Sequence, residues 1–121
     1  MKKNRGYVTT KANVESYTAS KPIFDSILTE IRELSKKKPE ATISSGKVKI
    51  INRVLDDLLP FMKDEPSGKY LEILDNESLP QVSDALLTMV QFEVALKAFY
   101  SKYRGEVGTD VYGDATYDWI T

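Results

Sequence analysis

Two pairs of acids carry the spacing most suggestive of chemistry: Glu30 with Glu33, and Glu72 with Asp75. Small helical nucleotide hydrolases use such pairs to hold magnesium, provided that the carboxylates project into a shared pocket. On helical wheels Glu33 and Glu72 fall nearly opposite the apolar stripes of their segments, and Glu30 falls at a border. These positions describe solvated acids, and Asp56-Asp57 reads the same way.

Neither histidine nor cysteine occurs among the 121 residues. That removes Ser-His and Cys-His nucleophilic pairs, the usual base at neutral pH, disulfides and most transition-metal sites. The expectation is a protein with no catalytic residue, no metal ligand and no cofactor.

Ser-Gly-Lys appears at 45–47 and again at 67–69, each where a helix is expected to begin. Free N–H groups beside a lysine suit a phosphate, but neither copy has the frame of a nucleotide-binding loop, and capping accounts for both.

Six bases gather at one end of a predicted helical hairpin: Lys36, Lys37 and Lys38 close its first helix, while Lys47, Lys49 and Arg53 lie on the first turns of its second. They are the candidate contact for nucleic acid or another anion. A net charge of −1 argues against gross attraction to nucleic acid or membrane, although the two ends differ in sign. Residues 1–21 carry Lys2, Lys3, Arg5, Lys11 and Lys21 against Glu15, whereas residues 105–121 carry Glu106, Asp110, Asp114 and Asp118 with no base.

The elements that position these groups follow from periodicity. Residues 1–19 read as an N-terminal arm, with a short strand at Gly6–Thr10 and a turn of helix at Asn13–Tyr17 as options. Ser20 is the expected N-cap of a first helix, with Pro22 in its first turn and Ile23, Phe24, Ile27, Leu28, Ile31 and Leu34 along one face. Pro39 ends it. A second helix opens near Ser44 or Ser45 on a stripe from Val48 to Met62, with a kink or an end at Pro60. Ser67–Leu74 fits a short third helix and Asp75-Asn76-Glu77 a turn.

The fourth helix starts at Ser78 or Ser83 and stops at Gly105, an expected C′ glycine. Val82, Ala85, Leu86, Met89, Phe92, Leu96, Phe99, Tyr100 and Tyr103 form its main face. A second stripe, Leu87, Val90, Val94 and Ala98, lies on another side. Such a helix is either central to the fold or turned toward a partner chain.

Residues 106–121 form a glycine-, aspartate- and aromatic-rich tail. Tyr112, Tyr117 and Trp119 are costly to leave in water. The tail either folds back on its own domain, with a ribbon beside Tyr7–Thr10 as one option, or crosses to a neighbouring subunit, or orders on a partner.

With 41% hydrophobic and 29% charged residues the chain falls in the globular class, and its length suits one domain. Polar Thr9, Thr10, Lys11 and Asn13 occupy the place where a signal peptide would be apolar, which together with the missing cysteine points to the cytoplasm. The expected fold is all-α: an antiparallel bundle of three to four helices over residues 20–105, with irregular or short-strand arms.

The function expected is non-catalytic protein–protein interaction, as a small subunit, adaptor or inhibitor. Its expected surface for a protein partner or for self-association is Leu87, Val90, Val94, Ala98, Tyr112, Tyr117 and Trp119. The alternatives are a helical nucleic-acid-binding protein using the basic patch and a magnesium-dependent nucleotide hydrolase. No membrane partner is expected.

Overall fold

The computed structural model describes residues 6–121; Lys2, Lys3 and Arg5 of the basic N-terminus lie outside the described residues. Three helices dominate: α1 (Lys11–Lys37), α2 (Ser45–Met62) and α3 (Val82–Tyr103). A small antiparallel hairpin, β1 (Arg104–Thr109) and β2 (Ala115–Trp119), follows α3 directly. The molecule is therefore helix-dominated but not all-α.

α1 begins well before the expected Ser20. Thr10 is the N-cap, its hydroxyl accepting from the Asn13 N–H at 3.1 Å. Ser20 is buried inside the helix, and α1 runs through Pro22. Proline removes one rung and crowds the carbonyl four residues back. Here both Pro22 and Thr18 are exposed, so water can serve the freed carbonyl. Packing of Tyr17 against Phe99 and Trp119 then outweighs the break, with ring centroids 5.9 and 5.0 Å apart.

Ser44 caps α2, its hydroxyl accepting from the Lys47 N–H at 3.3 Å. The helix continues past exposed Pro60 to Met62. No helix forms over Ser67–Leu74; a single 3₁₀ turn at Pro66–Gly68 leads into an irregular strap. Leu71 and Leu74 are buried as expected, whereas Tyr70 faces solvent. So short a segment cannot offset helix nucleation by itself, and tertiary bonds claim its backbone instead. The expected turn at Asp75 is present: its Oδ1 accepts from the N–H groups of Glu77 and Ser78 at 2.8 and 3.1 Å.

The core lies where α1 packs against both α2 and α3, with Phe24, Leu28, Leu55, Leu58, Phe92 and Leu96 almost wholly enclosed. Arg32 of α1 reaches Glu93 of α3 at 2.8 Å. The loop before α2 is stitched to the start of α3: Ile43 N–H donates to Pro80 O at 2.9 Å, and Val82 N–H to Ala41 O at 2.8 Å. Gly105 does not act as a left-handed cap. The helix ends at Tyr103, and Arg104 turns straight into extended backbone at φ −107° and ψ 143°.

Candidate interaction surface

The C-terminal tail returns to its own domain, pairing β2 with β1 rather than with Tyr7–Thr10. The N-terminal segment contributes one bond, Thr9 N–H to Ile120 O at 3.0 Å. Trp119 is the anchor. Its ring sits 5.0 Å from Tyr17, 5.4 Å from Tyr100 and 5.7 Å from Phe99. Arg104 staples the base of the hairpin: its guanidinium donates to the Tyr100 hydroxyl and to Tyr117 O, and lies over the Tyr100 ring. Burial, followed by neighbouring Tyr100, raises the Tyr17 pKa above the ordinary tyrosine value.

A second clamp sits beside this base. Glu65 accepts from the Tyr103 hydroxyl at 2.7 Å and from Lys102 Nζ at 3.1 Å. The Glu65 hydrogen bond raises the pKa of Lys102, and burial raises that of Tyr103. Lys102 also lies over the Tyr7 ring at 4.7 Å, which ties down the N-terminal segment.

Beyond Gly105 the hairpin leaves the body. Residues 106–115 are all exposed, and the ladder slips at Val107. The far end is nonetheless well built. Asp110 Oδ1 accepts from the N–H groups of Tyr112 and Asp114 at 2.8 and 3.0 Å. Asp110 N–H donates to Asp114 O at 2.9 Å, and Gly113 takes a left-handed φ of +83° that other residues resist. This fixed turn presents Val111 and Tyr112, 92% and 86% exposed. Tyr117 is also exposed, near the base.

No family model, curated protein or solved structure matches this chain.

On α3 the main stripe is buried except for half-buried Leu86 and Tyr100, and the second stripe lies mostly outside. Leu87 and Val94 are 61% and 59% exposed, Ala98 is exposed, and Val90 half-packs on the core. The helix is central and also presents an uncovered apolar flank.

An open groove of about 520 Å³ runs between α1 and α2. Ile27, Ile31, Leu34, Ile50 and Ile51 make it apolar, with Lys37, Lys47, Glu30 and Glu33 among its lining. The α1 stripe is wider than one neighbour can cover, so Ile27 and Leu34 stay half-exposed at its edge. That width was the signal in the sequence for this groove. Ile50 gave none, since it lies off the α2 stripe.

The six candidate bases do not form one patch. Lys37 and Lys47 line the α1–α2 groove, whereas Lys49 and Arg53 line a separate opening beside the strap with Asn52 and Asn76. Lys36 pairs with Glu33 at 3.1 Å, and Lys38 is exposed in the loop. Residues two apart on a helix face away from each other, which is what separates Lys47 from Lys49.

The acids are dispersed too. Glu30 and Glu33 lie on α1, Glu72 is exposed on the strap, and Asp75 is occupied by its turn; those backbone hydrogen bonds lower its pKa. Among the described residues no three acids gather as metal ligands would.

Of the Ser-Gly-Lys copies, the first begins α2 just after its Ser44 cap. In the second, a Cβ on Gly68 would meet Met62 O at 1.8 Å, so close packing on the end of α2 accounts for the glycine. No helix among the described residues is long and apolar enough to cross a membrane.

Proposed function

We propose that this chain is a non-catalytic protein–protein interaction module, presenting its hairpin arm and the outward flank of α3 to protein partners. The observation that carries this is the tip of the arm. Two large apolar side chains stand almost wholly in water on a turn held by four hydrogen bonds about Asp110. Rigid, exposed aromatic anchors lose little entropy on binding and dominate interface energetics. The Leu87–Val94 flank adds a second uncovered apolar surface on a helix whose other face lies in the core. The absence of cysteine supports a reducing compartment, the cytoplasm.

Single substitutions test this better than deletion, because removing residues 106–121 also removes Trp119 from the core. Tyr112→Asp and Val94→Asp should leave the helical content intact. Each should weaken association, read by light scattering for self-association and by affinity capture for other proteins. If the two proteins associate and capture as the unaltered chain does, the module has no such function.

A further inference from the structure

The arm and the α1–α2 groove are complementary features at opposite ends of one molecule. The arm springs from the end where Trp119 packs on Tyr17, near the start of α1. The groove opens over Ile27–Lys37, toward the other end of a helix about 40 Å long. The tip, exposed as it is, does not occupy its own groove.

We infer that the groove between α1 and α2 receives the hairpin tip of a second copy of this chain, in a twofold pair that exchanges arms. This rests on the arm being an interaction element. Three observations favour a second copy as the occupant. First, the distal hairpin has no cover from its own body, and an isolated two-stranded hairpin is only marginally stable in water. Second, the charges favour it. The tip carries Asp110 and Asp114 on a segment without a base. The groove is lined by Lys37 and Lys47 against Glu30, while Glu33 is held by Lys36, which leaves an excess of one base. Third, closure is possible. With the arm's base and the groove toward opposite ends of α1, two copies related by a twofold axis would form both contacts in one isologous pair, leaving no open chain.

The experiment is sedimentation velocity on the full chain, the Tyr112→Asp and Ile50→Asp variants, and an equimolar mixture of the two. Both residues are exposed, and circular dichroism checks that the variants fold. The unaltered chain should sediment with the mass of two chains. Each variant should dissociate about 30-fold more readily or worse, as loss of a central anchor does. The mixture should recover a heterodimer, because Tyr112→Asp keeps a working groove and Ile50→Asp a working tip. Raising the salt should loosen the unaltered pair.

A dimer indifferent to both substitutions overturns the exchange, as does a monomer at the highest soluble concentration. A monomer that captures another protein, and loses it on Tyr112→Asp, overturns self-pairing but keeps the arm as an interaction element. A monomer that captures nothing, with or without Tyr112, removes both.

Discussion

Asn52 grips the backbone of Leu74 at both of its hydrogen-bonding groups. The side-chain amide donates to Leu74 O at 2.8 Å, and its oxygen accepts from Leu74 N–H at 2.8 Å. The pair is buried, and it docks the strap onto α2 as a neighbouring strand would dock. Asn52→Ala should cost about 2–4 kcal/mol, because two enclosed backbone groups lose their partners. Asn52→Asp keeps the acceptor but aims a carboxylate at a carbonyl. Urea unfolding of both variants measures this, and a change under about 0.5 kcal/mol for Asn52→Ala would show that the strap is held by Leu71 and Leu74 alone.

Gly68→Ala should be as damaging by another route. The added methyl would fall 1.8 Å from a backbone oxygen at the end of α2, so the strap or the helix end must move. The expected loss is about 3 kcal/mol. Gly46→Ala, with nothing near its Cβ position, is the matched control and should be neutral or slightly stabilising within a helix.

Trp119 separates the base of the arm from its tip energetically. Trp119→Ala should destabilise the fold by about 2–3 kcal/mol through lost contacts with Tyr17, Phe99 and Tyr100. Tyr112→Ala should change stability by less than about 0.5 kcal/mol under conditions where the chain is monomeric. Since Trp119 is the sole tryptophan, its fluorescence reports on the arm's base directly.

Acid should loosen the contact between α1 and α3. Hydrogen bonding to Arg32 holds the Glu93 pKa below the ordinary glutamate value, and backbone N–H groups do the same for Asp75. The unfolded chain therefore binds these protons more readily than the folded one. The associated stability is present above the unfolded pKa and is lost as the pH falls through the lowered folded values. Melting temperatures should drop below about pH 4.5, and Glu93→Gln should flatten that slope. An unchanged acid limb in Glu93→Gln would assign the loss to other carboxylates.

How far the sequence could be read depended on whether one element or several decided a position. α2 and α3 announce themselves, because their apolar stripes and the serine before α2 act locally. Ser20 and Pro22 carry an equally clear local signal for a helix start, and it fails. Tyr17 must reach Phe99 and Trp119, residues far along the chain, so α1 extends back to Lys11. The 67–74 segment misleads for the same reason, since Asn52 sets the conformation of Leu74. The uncovered flank of α3 was visible as a second periodicity. Proximity in sequence groups Lys47 with Lys49, although the two line different openings, because residues two apart on a helix face different ways. The clamp of Glu65, Lys102 and Tyr103 left no local mark at all, joining residues nearly forty positions apart.

Pro22 leaves a consequence of its own. With one rung of α1 missing there, the turns before it lean on Trp119 and on the Thr9–Ile120 bond as much as on the rest of their helix. Residues 11–18 and the hairpin base should then open together as one foldon, with amide protons that exchange in concert and sooner than those of Leu28 or Phe92. Tension applied to the arm would be felt first at the opposite terminus of the chain.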